Sequence, residues 1–197
     1  MRKIGLTGSI GSGKSTVSRI FSSIGVKIYY ADNEAKKFLA YKEIKDQLID
    51  TFGKDILGAN HEIDRKKLGK RVFSNQQELL FLNSLIHPLV RSDFESWLRQ
   101  FMDEEYIIHE AAIIYETGFN ENFDAIISVS APEDMRITRV MERDTVNRED
   151  VIRRMENQWS DEHKVGMADY VIVNDEQNLL IPQVLHIHSQ LTVGSRP

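Results

Sequence analysis

One stretch, Gly8-Ser9-Ile10-Gly11-Ser12-Gly13-Lys14-Ser15-Thr16, constrains this chain more than any other. A glycine stands five positions ahead of a Gly-Lys-Ser triplet. The apolar run Arg2–Thr7 before it reads as a strand, and Val17, Ile20, Phe21 and Ile24 after it fall at helical spacing. Strand, glycine-rich turn and helix form the context that a phosphate-binding loop requires. Gly8, Gly11 and Gly13 let the backbone turn its N–H groups inward where a Cβ would clash, and the helix start adds partial positive charge. In such a loop Lys14 reaches the β- and γ-phosphates, and the Ser15 hydroxyl is suited to ligate Mg²⁺. An ordinary glycine-rich turn is the plain alternative; the flanking elements argue against it.

Composition narrows the partner. The 197 residues are 41% hydrophobic and 28% charged, enough for one domain with a sizeable core. A formal net charge of −5 argues against whole-surface binding to nucleic acid or an anionic membrane, so a small molecule is the expected partner. With no cysteine there is no disulfide framework, thiol nucleophile or Cys-based zinc site, which fits a reducing compartment. No apolar run reaches the roughly 18 residues of a membrane span, and the start lacks a long apolar leader segment. The expectation is a soluble cytoplasmic protein of unspecified oligomeric state.

Four further runs read as strands: Val26–Tyr30, Tyr106–Ile108, Ala125–Val129 and Tyr170–Val173. Their lack of strict polar alternation predicts strands covered on both faces, hence a five-stranded parallel sheet wrapped by helices, an α/β fold. Between Asp32 and Tyr106 no strand signal occurs, while Leu79, Leu82, Leu85, Ile86, Leu89, Val90, Phe94, Trp97, Leu98 and Phe101 repeat at helical spacing. That segment is too long for a loop and reads as an inserted helical lobe. The tail, residues 192–197, lacks periodicity and is expected to fray.

Several side chains outside the loop carry chemistry. Asp32 follows the second strand, at the carboxyl end where open α/β sheets bind ligands. There it can take a proton from an attacking hydroxyl or hold Mg²⁺ through water; the plain reading is a helix N-cap. Ser130-Ala131-Pro132-Glu133-Asp134 predicts a helix start, after which Arg136, Arg139 and Arg143 share one face. That face can close over a triphosphate, or it is a solvated surface paired with Glu142, Asp144, Glu149 and Asp150. His87-Pro88 reads as a turn with Pro88 opening the next helix. The remaining histidines indicate no zinc site.

Taken in order, GSIGSGKST, YYAD, IDRKKLGKRVF, LNSLIHPLV, IIYE, RVMERD, RRMENQ and ADYVIVN resemble the motifs of the dephospho-CoA kinase family, over Ile4 to Asn174. The resemblance implies a P-loop NTPase-type core with a helical acceptor-binding insert and a lid. It divides the chain into a core (1–32, 104–134 and 166–191), an insert (33–103) and a lid (135–165). The implied reaction moves the ATP γ-phosphoryl group to the 3′-hydroxyl of dephospho-CoA, with Mg²⁺. Carried onto this chain, Gly11, Ser12, Gly13, Lys14, Ser15 and Thr16 hold ATP with Arg139, Arg143 and Asn174, the last near the adenine. Lys14, Asp32 and Arg139 act in catalysis, Ser15 on the metal, and Asp32, Arg65, His87 and Glu116 on the acceptor. Arg136 has no counterpart in the family pattern and reads as surface charge.

Three positions depart from the family. Ser9 replaces a second glycine, Tyr30 replaces the first acid of a DAD triplet, and Ala112 replaces a proline. Glu110 is then a candidate outer-sphere metal group. Rival readings are a nucleoside or nucleotide kinase with the same core, a GTPase switch and a non-catalytic nucleotide-binding module. For the switch, Asp55-Ile56-Leu57-Gly58 matches DxxG but lies in the helical insert, and no NKxD segment accompanies it.

Overall fold

A computed structural model describes residues 1–193. Five strands, β1 (Arg2–Thr7), β2 (Lys27–Tyr30), β3 (Tyr106–Glu110), β4 (Ala125–Ser130) and β5 (Tyr170–Val173), form one parallel sheet in the order β2-β3-β1-β4-β5. From the central strand β1 the chain passes to the edge strand β2, returns to β3 beside β1, and then crosses to β4 and the opposite edge β5. The loop after β1 therefore opens at the point where connections diverge, the usual ligand crevice of such sheets.

Two compact units divide the chain: Met1–Tyr30 with Arg99–Pro197, and Ala31–Leu98. In the first, helices α1 (Lys14–Ser23) and α9 (Leu180–Val193) cover one sheet face. Val17 and Phe21 from α1, with Val184, Ile187 and Leu191 from α9, pack on Ile4, Leu6, Ile108, Ile127 and Ile172. These β-branched and aliphatic strand residues are fully buried, as a sheet packed by helices requires. At the edge this rule fails. The edge strand β5 leaves Val171 and Val173 each 37% exposed, so the expectation of cover on both faces does not hold there.

Between β4 and β5 come α6 (Glu133–Asp144), α7 (Arg148–Met155) and α8 (Asp161–Met167). Helix α6 starts as its sequence predicts, with Pro132 as N-cap and Glu133 and Asp134 in the first turn. Ile137 and Val140 of α6 meet Val151 of α7 in a small cluster of their own.

The second unit is helical: α2 (Ala31–Phe38), α3 (Lys42–Phe52), α4 (Arg65–Val72) and α5 (Gln76–Leu98). Asp64 caps α4, accepting from the Lys66 and Lys67 amides at 2.9 and 3.2 Å. Helix α5 runs through Pro88, so no turn separates two helices at His87-Pro88. Ile86, Val90, Phe94 and Leu98 are buried at four-residue spacing on both sides of the proline, and this packing overrides the missing N–H. Asp32 is the second residue of α2 and not its N-cap, since the helix continues directly from β2. At the other end Thr192 and Val193 belong to α9 rather than to a frayed tail; residues 194–197 lie outside the described residues. No described helix is long and apolar enough to cross a membrane.

Candidate active site

The loop between β1 and α1 needs glycine at three places for space as well as for backbone conformation: at Gly8, with φ +149, a Cβ would stand 2.3 Å from the Val129 carbonyl oxygen. Gly11 has φ +80, and a Cβ there would stand 2.4 Å from the Arg136 carbonyl oxygen. Gly13 has φ +97, and its Cβ would stand 2.1 Å from Asn174 Nδ2. Ser9 is accommodated because its φ is not positive; among the described non-glycine residues only His61, Thr145 and Glu176 have that conformation.

The turn consumes some of its amides and leaves others open. Ser12 N donates to Ser9 O at 3.0 Å, Thr16 N to Gly13 O at 2.9 Å, and Ile10 N to Gln158 Oε1 at 2.9 Å. Among the described residues the amides of Gly11, Gly13, Lys14 and Ser15 find no acceptor. The last two are first-turn amides that no helix can satisfy internally, and Gly13 as N-cap supplies no side chain. Four N–H donors without partners thus gather in the loop leading into the positive end of α1, an arrangement suited to anionic oxygens. Lys14 Nζ donates to the Gly8 carbonyl at 2.8 Å, which keeps its charge at the same loop. The Ser15 side chain is exposed.

Elements distant in sequence brace this loop. Asn174, just past β5, donates from Nδ2 to Ser12 O at 2.7 Å. Its own carbonyl accepts from both terminal nitrogens of Arg139 at 3.3 and 3.4 Å, and Arg139 also pairs with Glu176 at 3.1 Å. Arg136 corrects the reading of surface charge: it is 5% exposed, and its Nε donates to Ala131 O at 3.0 Å. Its backbone also forms the wall beside Gly11. Arg143 pairs with Asp144 at 2.8 Å, as Arg154 does, and Arg153 pairs with Asp150. So part of the arginine face is neutralised at the surface.

A buried ion pair lies in the same unit. Glu116 Oε1 accepts from Lys164 Nζ at 2.8 Å and from the Trp159 amide at 2.8 Å. Lys164 is fully buried and also donates to Ala112 O at 2.7 Å. Burial lowers the Lys164 pKa below the usual lysine range, Glu116 opposes that shift, and the Lys14 ammonium adds to it. Trp159 is sandwiched between Tyr115 and His163, with ring centroids 5.8 and 4.3 Å away. Glu110 is buried at the end of β3, in register with Leu6 and Tyr30.

Asp32, Arg65 and His87 all belong to the helical unit. Asp32 and Arg65 are exposed, while His87 is half-buried with its pKa lowered, first by burial and then by Arg91. No group of three His, Cys, Asp or Glu side chains among the described residues is placed to hold a metal. The sequence puts Arg136 at the surface, and gives Gln158 and Lys164 no role. Gln158 closes the RRMENQ motif, whose order could have flagged it; Lys164 carries no such signal.

Three comparisons bear on identity. The dephospho-CoA kinase family model matches residues 2–179. A dephospho-CoA kinase of Bacteroides fragilis is 36% identical over 186 residues, 94% of this chain and 90% of that protein. One of Fusobacterium nucleatum is 40% identical over 172 residues, 87% and 89% of the two chains. The solved dephospho-CoA kinase from Campylobacter jejuni superposes with a TM-score of 0.69 at 28% identity, covering 98% of each chain. With its phosphate loop formed and its motifs in order, the chain belongs to the dephospho-CoA kinase family.

Proposed function

We propose that this protein transfers the γ-phosphoryl group of ATP to the 3′-hydroxyl of dephospho-CoA, giving coenzyme A and ADP. The observation that carries the reading is the set of four unpaired amides at Gly11, Gly13, Lys14 and Ser15 in the loop whose Gly8 carbonyl holds the Lys14 ammonium. Such a cradle fits a polyphosphate, and family membership supplies the acceptor.

In this reading ATP lies over Gly11–Thr16, and Lys14 exchanges the Gly8 carbonyl for phosphate oxygens. The Arg139 contacts to Asn174 O are long and its partner Glu176 is largely exposed, so the guanidinium can exchange them for the transferring group. Asp32 orients the acceptor hydroxyl and takes its proton as the new O–P bond forms and the bond to the β–γ bridging oxygen breaks. ADP then leaves and the proton passes to solvent. Arg65, His87 and Glu116 contact the acceptor, and Arg143 and Asn174 complete the nucleotide site. The helical unit serves as the acceptor-binding insert, and residues 135–165 act as the lid. Mg²⁺ fits this donor set, because a lone exposed hydroxyl at Ser15 with phosphates and water is its usual environment; when bound it neutralises phosphate charge. We place the reaction in the cytoplasm, where a chain without cysteine is at no disadvantage.

Incubation with dephospho-CoA and γ-labelled ATP tests this directly. Label should appear in the 3′-phosphate of coenzyme A. ADP formation that proceeds equally without an acceptor would overturn the reading.

A further inference from the structure

The tip of the phosphate loop is fastened to the helices that carry the arginines. Ile10 donates its amide to Gln158 Oε1 at 2.9 Å, and its side chain packs on the Ile137, Val140 and Val151 cluster shared by α6 and α7. Gly11 lies directly against the Arg136 backbone. The next residue after Gln158, Trp159, gives its amide to Glu116. Two consecutive residues therefore hold the loops that follow β1 and β3.

Gln158 can play this part because its side-chain amide carries an oxygen that accepts the hydrogen bond donated by the Ile10 N–H. The amide that follows Ile10, Gly11 N–H, is one of the unpaired donors. The Ile10 and Gly11 N–H groups lie in adjacent peptide planes joined at the Ile10 Cα, so a shift of the first plane alters the setting of the second. Lys14 and the amides of Gly13, Lys14 and Ser15 are farther along and keep their places.

We propose that Gln158 is a positioning residue for phosphoryl transfer. By holding the Ile10 amide it sets the direction of the Gly11 donor and keeps the cradle in register with Arg139 on α6. The proposal rests on the kinase reading above. Loss of this bond leaves the charges that bind ATP intact but loosens the alignment on which transfer depends.

The test compares the unmodified protein with Gln158→Met, which keeps length but removes the acceptor, and Gln158→Glu, which restores it. Activity of the unmodified protein toward dephospho-CoA settles the kinase reading before any variant is scored. At saturating ATP, Gln158→Met should lose about tenfold in kcat, with KM for ATP within about twofold and faster hydrogen exchange at the Ile10 amide. Gln158→Glu should recover most of that kcat and the protection of Ile10. Ile10→Ala, which removes the apolar half of the attachment, should lower kcat as well and combine with Gln158→Met less than additively. A faster-exchanging Ile10 amide with unchanged kcat would overturn the proposal. So would a kcat loss that Gln158→Glu fails to recover, or full additivity with Ile10→Ala.

Discussion

Asn174 and Ser12 are 162 positions apart, and the Asn174 side-chain amide donates to the Ser12 carbonyl at 2.7 Å. That bond ties the end of the edge strand β5 to the middle of the phosphate loop. The same Nδ2 lies where a Gly13 side chain would have to go. Asn174 thus holds the loop, and its carbonyl holds Arg139. Replacing it with alanine removes one neutral hydrogen bond, worth about 1 kcal/mol, so ATP should bind roughly fivefold more weakly by calorimetry. Asn174→Asp should be worse, because a carboxylate oxygen would face the Ser12 carbonyl. Unchanged affinity in both variants would leave the contact without a role in the loop.

Arg136 and Arg139 sit one turn apart on α6 and should fail differently. Arg136 is buried against Ala131 O and supports the wall at Gly11, so Arg136→Ala should destabilise the fold by about 1–3 kcal/mol and lower Tm by several degrees. Arg139→Ala should keep Tm within about a degree or two while kcat falls more than KM for ATP rises. Thermal melts and steady-state kinetics on the two variants separate these outcomes, and a pure KM effect at Arg139 would assign it to ground-state binding.

His109 makes stability depend on pH. Its ring stacks on Tyr29 at 5.3 Å and lies beside Phe119 and Phe123, and burial pushes its pKa down to about 3. The unfolded chain takes up a proton as pH falls through about 6.5, and the folded protein does not until about 3. Stability therefore declines below about pH 6.5, with a slope from this residue approaching 1.4 kcal/mol per pH unit. His109→Phe should flatten the decline between about pH 6.5 and 5 in urea melts, leaving the smaller part that His87 contributes in the same direction. An equally steep profile in the variant would mean that another group controls it.

Much of this architecture was legible from local pattern. The five strands, the helices between β2 and β3 and the glycine positions follow from periodicity and turn chemistry. What escaped depends on contacts between residues far apart in sequence. Arg136 shares a helix with Arg139 and looks the same in sequence, yet one is buried and the other reaches Asn174. Pro88 reads as a break because local rules say so, and four buried residues along α5 override them. Gln158 and Lys164 gain meaning only once α7 and α8 are set against the loops after β1 and β3.

Asp32 bears on the transfer step itself. Asp32→Asn keeps shape and one acceptor oxygen but loses the charge that draws the proton, so kcat should fall about 10²–10³-fold, the lower half of the usual general-base range. ATP binding should change little. A kcat within about twofold of the unmodified enzyme, with unchanged Mg²⁺ dependence, would remove Asp32 from the reaction.

What sets this kinase apart from others on the same core is its acceptor. The identity of that acceptor is tested most directly by measuring ADP formation from ATP and Mg²⁺ with dephospho-CoA, adenosine, AMP and other nucleosides offered separately at equal concentration. A helical unit of this size can bury a pantetheine arm that nucleosides lack, and binding energy from remote parts of a substrate raises its turnover. The kcat/KM for dephospho-CoA should be at least about a hundredfold above that of every other acceptor. Comparable turnover of a simple nucleoside or of AMP would contradict this and make the chain a nucleoside or nucleotide kinase built on the same core.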